Sequence, residues 1–162
     1  MKKRTKITLW SILFVIVFTV SALIRVNMLG SAPMKLMQVK WDDTVGTIYN
    51  DLNYYGHKYD LYVPANLDIG NAQQLILFIH VGSFNSGAKE DGEVWCKYYA
   101  SKGYIAASLD YSLQTVQEDA SLVRMNTEIK ECVNAINEKC KELGYTLDGM
   151  ATCGVSAGGT LA

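Results

Sequence analysis

The stretch Met150-Ala151-Thr152-Cys153-Gly154-Val155-Ser156-Ala157-Gly158-Gly159 decides how this chain folds. Met150 to Cys153 reads as a short strand, and Ser156 to Ala162 reads as the start of a helix. Between them, Gly154-Val155-Ser156-Ala157-Gly158 fits G-x-S-x-G in the strand–turn–helix context that this motif demands. In such a turn, strand and helix nearly collide at the positions two before and two after the serine. Only the smallest residues fit there, hence Gly154 and Gly158. Ser156 is then held in a strained backbone conformation with its hydroxyl above the sheet. The amide of Ala157 points to the place where a negative oxygen would form, at a helix start whose dipole favours that charge.

Working back from this turn, strands and helices alternate. Lys58 to Val63 alternates in polarity and stops at Pro64, as a strand does. Leu75 to Ile79 and Tyr104 to Leu109 are continuous apolar runs, the pattern of strands buried on both faces. A short helix is expected over Glu93–Ser101, with Asp91 as cap and Gly103 just past its end. The clearest helix is Ser121–Leu143. Leu122, Met125, Ile129, Val133, Ile136, Cys140 and Leu143 recur at spacings of three and four, and Gly144 follows as a terminator. This order implies an α/β fold, a mostly parallel sheet with helices on both faces. His80-Val81-Gly82-Ser83-Phe84 follows the Leu75–Ile79 strand directly. In open α/β sheets, sites gather at the carboxyl ends of strands. Gly82 and Ser83 are small enough there to offer their backbone N–H groups toward Ser156.

With these motifs in place, the chain from about Lys58 to Ala162 resembles the first half of an α/β-hydrolase of the esterase/lipase class. It looks close to the hormone-sensitive-lipase-like and feruloyl- or acetyl-esterase-like branches. Ser156-Ala157-Gly158-Gly159 is similar to their S-A-G-G, His80-Val81-Gly82-Ser83 to their H-G-G-G, and Asp110-Tyr111-Ser112 to their D-Y-R. The resemblance implies that Ser156 is the nucleophile of a Ser-His-Asp/Glu triad. It implies an oxyanion hole at Gly82, Ser83 and Ala157, a structural role for His80, and a small-molecule carboxylic ester cleaved through an acyl-enzyme without a cofactor. Val81 and Ser83 depart from the glycines of the family motif, and Ser112 from its arginine.

In that family the acid and base follow the nucleophile in chain order. Here six residues follow Ser156, and the histidines are His57 and His80. His80 belongs to the oxyanion motif, and His57, in Tyr54-Tyr55-Gly56-His57-Lys58, reads as a solvated turn residue. The triad acid and base are therefore expected to be absent from this chain. The expectation is a truncated α/β-hydrolase, inactive by itself because a serine without a base is a weak nucleophile. It should also fold marginally, since the outer edge of the Met150–Cys153 strand would lack a partner. A degenerate, non-enzymatic binding protein and a serine peptidase of the prolyl-oligopeptidase type stay open as alternatives. A nucleotide site does not fit, because Gly154 to Gly159 reads G-x-x-x-G-G.

Composition and charge complete the reading. Of 162 residues, 49% are hydrophobic and 19% charged, with two prolines, which excludes a disordered or collagen-like chain. Lys2, Lys3, Arg4, Lys6 and Arg25 are basic and residues 1–25 hold no acid, leaving ten of the 15 basic residues against all 16 acidic ones in the remainder. That acidic body excludes nucleic-acid binding. Ile7–Ile24 carries no charge, and as a helix it reaches ~27 Å, close to the ~30 Å hydrocarbon layer. Residues 1–30 are therefore expected to be a signal anchor or signal peptide, 31–37 a linker, and 38–162 the N-terminal portion of the hydrolase domain. The positive-inside rule puts a transmembrane helix over residues 7–24 with the C-terminal domain outside the cytoplasm. Secretion after cleavage near Gly30-Ser31-Ala32 is the alternative. The four cysteines show no metal-ligand spacing. Cys132 and Cys140 lie ~12 Å apart along one helix, too far to bridge, so free thiols are expected. The sequence sets no oligomeric state.

Overall fold

The computed structural model describes residues 3–30, 37–116 and 120–162, with side chains of the first helix described from 10 to 25. They fall into two compact units, 1–38 and 39–162. The first holds one helix, α1 (Lys3–Gly30), over the expected apolar run, and its described side chains are exposed. Among the described residues, no helix is long and apolar enough to cross a membrane. The expected membrane span over residues 7–24 thus finds no support in the fold. Residues 31–36, which hold most of the expected linker and part of the expected cleavage site, lie outside the described residues.

The second unit is built on a five-stranded sheet. Its strands are β1 (Gly46–Tyr54), β2 (His57–Pro64), β3 (Ala72–Ile79), β4 (Ile105–Leu109) and β5 (Thr146–Gly154), in the order β1-β2-β4-β3-β5. β3 runs parallel to both β4 and β5, while β2 is antiparallel to β4 and to β1. The sheet is therefore mixed, not mostly parallel, and the β1–β2 hairpin makes the difference. Tyr55 (φ 40°) and Gly56 (φ 85°) turn that hairpin between the paired residues Tyr54 and His57. Two residues at positive φ match the right-handed twist of the flanking strands. β1 escapes a reading by periodicity because Asn50, Asp51 and Asn53 interrupt it. Its register shifts between Tyr49 and Leu52, with Asp51 at φ 55°.

Three helices cover the sheet: α2 (Glu93–Ala100), α3 (Leu122–Glu142) and α4 (Ala157–Leu161). Ser121 caps α3 by accepting a hydrogen bond from Arg124 N at 3.2 Å. Asp91 does not cap α2. It lies in a 3-10 turn, Lys89–Gly92, accepts from Ala88 N at 3.2 Å, and leaves the cap position to Gly92. A side chain at Gly92 would come within 2.6 Å of Ser108 and 2.8 Å of Phe78, so only glycine brings the turn this close to the sheet.

Both sheet faces are buried, as the continuous apolar strands predict. Leu61, Leu75, Leu77, Ile79, Ile105, Ala107 and Leu109 pack with Met125, Ile129, Cys132, Ile136 and Cys140 of α3. On the opposite side, Tyr62, Phe78 and Ala106 pack with Cys96 and Ala100 of α2. All four cysteines are free thiols. Strand β5 is the edge of the sheet opposite β1, and its Met150 is 49% exposed.

Candidate active site

Parallel pairing of β3 and β5 sets the site. The ladder runs from Ala72–Thr146 to Ile79–Gly154, and both strands leave the sheet there, at their carboxyl ends. The same count of two residues separates Ile79 from Val81 and Gly154 from Ser156. The turn after β5 and the loop after β3 are thereby brought side by side.

The turn has the geometry that its glycines require. Ser156 adopts φ 55°, ψ −119°, is exposed, and stands at the start of α4 with its side chain uncommitted to capping. L-residues rarely adopt this conformation, and one that does stores strain. A Cβ on Gly154 would lie 2.4 Å from the Gly158 carbonyl carbon, and one on Gly158 would lie 2.1 Å from Ile79 O and 2.7 Å from His80 O. The backbone on the helix side of Ser156 therefore packs directly on the peptides through which β3 enters its loop.

That loop, residues 80–88, is strained and tightly held. Gly82, Ser83 and Phe84 have φ of 135°, 52° and 67°. Asn85 N and Ser86 N donate to Gly82 O at 2.9 and 3.0 Å. A Cβ on Gly82 would lie 1.8 Å from Ser86 O. Among the described residues, no protein acceptor is bonded to the amides of Gly82, Ser83 or Ala157. These are the groups expected to face a developing oxyanion. Val81, where the resembled motif has glycine, is 39% exposed.

His80 is buried beneath the loop. Its ring stacks on Tyr111 at 4.1 Å, and its Nδ1 lies 2.8 Å from Val81 O. A Cβ on Gly87 would lie 2.3 Å from that nitrogen, which closes the remaining side. The geometry suits a structural part rather than a proton acceptor for Ser156.

His57 is not the solvated turn residue expected from sequence. Its side chain is 20% exposed, and its Nε2 lies 3.2 Å from Ser112 Oγ and 3.3 Å from Glu128 Oε1. Glu128, 1% exposed, accepts from Ser112 N at 2.8 Å, Ser112 Oγ at 2.6 Å and Arg124 Nε at 2.9 Å. Burial alone would raise the Glu128 carboxyl, but the Ser112 bonds, the Arg124 bond and the His57 charge together hold it below the ordinary range. β2 lies three strand positions from β5, roughly 14 Å at ordinary strand spacing. His57 is thus committed to a separate cluster. Among the described residues, no three His, Cys, Asp or Glu side chains could hold a metal ion.

Sequence reasoning missed Gln114 and Glu128, and it noted Tyr111 within the Asp110-Tyr111-Ser112 match without assigning it a role. Tyr111 Oη donates to His80 O at 3.1 Å, and Gln114 N donates to Phe84 O at 2.7 Å. The Asp110-Tyr111 pair directly after β4 was the available signal.

Comparison with known proteins agrees with this fold. The BD-FAE family model, an α/β-hydrolase-type esterase domain, matches residues 59–162. No curated protein sequence matches the chain. Among solved structures, a thermophilic esterase, Est2, from the Planctomycetes species Thermogutta terrifontis is similar with TM-score 0.58 and 22% identity. That match covers 72% of this chain and 42% of the esterase. The same organism's esterase 2 phosphorylated by paraoxon aligns at TM-score 0.58 and 20% identity, over 76% of this chain and 49% of that one. A truncated carbohydrate esterase from gut microbiota gives TM-score 0.64 and 18% identity, over 76% and 44%. The chain thus spans less than half the length of these relatives. With the family model covering residues 59–162, well over half of the sequence, the chain belongs to the BD-FAE family of α/β-hydrolase-type esterase domains.

Proposed function

We propose that the 39–162 unit carries the nucleophile and the oxyanion donors of a serine ester hydrolase. In this reading Ser156 Oγ attacks the carbonyl carbon of a carboxylic ester. The carbonyl oxygen gains negative charge and is met by the amides of Gly82, Ser83 and Ala157. The alcohol leaves, an acyl-Ser156 ester remains, and water releases the acid. The observation that carries the reading is Ser156 itself: an exposed serine at φ 55°, two residues beyond the Ile79–Gly154 pair, on a bend that tolerates only glycine on either side.

The proton of Ser156 needs an acceptor, and neither histidine of this chain suits the task. His80 is enclosed, and His57 is bound to Ser112 and Glu128. This chain alone is therefore a weak catalyst, limited to the residual acceleration that binding and an oxyanion hole provide. The test is organophosphate labelling followed by peptide mass mapping. Paraoxon is a suitable probe, since a structural relative carries its phosphoryl group. A slow adduct on the Ser156 peptide, absent in Ser156→Ala, is expected. An adduct elsewhere, or one unchanged in Ser156→Ala, would remove the reading.

We further infer from sequence that residues 1–30 address the chain to the membrane. The support is four basic residues ahead of an uncharged run of 18, Ile7–Ile24. Carbonate extraction of membranes carrying the full chain tests this, and release of the chain into the supernatant would refute anchoring.

A further inference from the structure

The loop that offers Gly82 and Ser83 does not hold its shape alone. The segment after β4 grips it at three points. Asp110 Oδ1 accepts from Lys89 N at 2.8 Å, just past the loop's far end. Tyr111 Oη donates to His80 O at 3.1 Å and stacks on the His80 ring, at the near end. Gln114 N donates to Phe84 O at 2.7 Å, in the middle. Residues 110–114 thus act as a backing strip for the loop.

The strip in turn depends on Ser112, its central residue. Both donors of Ser112, N–H and Oγ–H, are spent on the two oxygens of Glu128. Glu128 comes from α3, and Arg124 Nε and His57 Nε2 approach the same Oε1. One buried carboxylate therefore ties α3, the β1–β2 hairpin and the strip together. Bonds to an ionised, buried acceptor are stronger than neutral ones, and an unmade one is expensive.

We infer that Glu128 is a positioning residue for the oxyanion-donor loop, acting through Ser112 and the 110–114 strip and never touching substrate. The inference rests on the assignment of residues 82–83 as oxyanion donors, although its mechanical part does not. Glu128→Gln keeps the shape but places an NH2 donor against Ser112 N or Oγ and removes the charge that Arg124 and His57 face. Ser112→Ala is milder, losing one donor and keeping the backbone bond.

The experiment is amide hydrogen exchange on the full chain, read by peptide. In Glu128→Gln, exchange over residues 81–88 and 112–114 should rise about tenfold or more, from local opening. Peptides from β3 and β4 should keep their protection. Ser112→Ala should move the same peptides by less. If loop exchange is unchanged in a folded Glu128→Gln, the inference is wrong. If Glu128→Gln does not fold, Ser112→Ala decides, and unchanged protection at 81–88 overturns it. Paraoxon labelling of Ser156 in the same samples separates the two ideas. Labelling slowed along with loop opening supports both. Loop opening with no labelling in any version sinks the donor assignment and leaves the mechanical coupling standing.

Discussion

Ile79 and Gly158 touch backbone to backbone: a single added carbon on Gly158 would sit 2.1 Å from the carbonyl oxygen of Ile79. Ile79 is also the last β3 residue in the ladder, paired with Gly154 of β5. The end of one strand thus seats the turn that ends the other. Ser156, between the two glycines, has its direction set by contacts that involve no side chain of its own.

Gly158→Ala should therefore damage the fold, not only the site. Overpacking of this kind typically costs about 1–3 kcal/mol, and here the neighbours are main-chain atoms that cannot rotate away. Gly56→Ala is the control, at φ 85° with nothing within 4 Å of the added carbon. Its cost comes from backbone strain alone, about 1 kcal/mol. Urea denaturation of both variants checks the order. A Gly158→Ala midpoint equal to wild type would mean that the bend is looser than its contacts indicate.

Ser156→Gly should stabilise the protein while abolishing any labelling at this position. At φ 55°, ψ −119° a serine is strained and a glycine is not. Relief of that strain amounts to about 1–3 kcal/mol, offset in part by the greater freedom of glycine in the unfolded chain. A higher thermal midpoint with no adduct is the expected pair of results. A lower midpoint would argue against strain at Ser156.

How far the site could be read from sequence follows from which contacts are local. Gly154, Ser156 and Gly158 are legible because a strand-to-helix bend is a short-range steric problem. Buried β3 and β4 are legible because burial on both faces leaves uniformly apolar runs. The β1–β2 hairpin is not, because Asn50 and Asp51 interrupt the alternation at a bulge. His57 is misread for a related reason. Its partners Ser112 and Glu128 lie 55 and 71 positions away in sequence, and only the β2–β4 pairing and the packing of α3 bring them together. The support of the 80–88 loop by residues 110–114 is only partly legible: Asp110-Tyr111 directly after β4 marks it, whereas the Gln114 N bond to Phe84 O leaves no local signal.

Lys89 is 5% exposed, and its ammonium is held by Asp60 at 2.9 Å and Glu90 at 2.7 Å, with Asp51 at 3.3 Å. Asp60 also accepts from Asp51 N at 2.8 Å. Lys89→Met leaves the buried Asp60 carboxylate without its cation, a loss of about 3–5 kcal/mol. Asp60→Asn combined with Lys89→Met should recover part of it, because no buried charge is then left unpaired. A double variant as unstable as the sum of the single ones would show that the pair is not coupled.

β5 offers an unpaired edge of nine residues among the described strands, with Met150 exposed on the side of α3 beside a groove of about 270 Å³ lined by Leu75, Val133 and Leu147. Such an edge templates further pairing. Over a concentration series the chain should self-associate, and Met150→Lys should suppress this by placing a charge on the edge. Sedimentation velocity on both versions is the measurement. Equal association would place the sticky surface elsewhere.

Acid stability should carry the signature of Glu128. Its carboxyl is held below its ordinary value near 4.5, since the bonds from Ser112 and Arg124 and the charge of His57 outweigh the cost of burial. A depressed carboxyl contributes stability that is fully present above the unfolded value and disappears as pH falls through the folded one. Wild-type stability should therefore fall below about pH 4.5, with Glu128 supplying part of the slope. Glu128→Gln should lose about 1.5–3 kcal/mol at pH 7, the worth of bonds to a charged acceptor, and show a shallower decline below pH 4.5. The two curves then converge toward low pH. Parallel curves across that window would mean that Glu128 keeps the same proton affinity in the folded and unfolded chain, which its bonds from Ser112 and Arg124 do not allow.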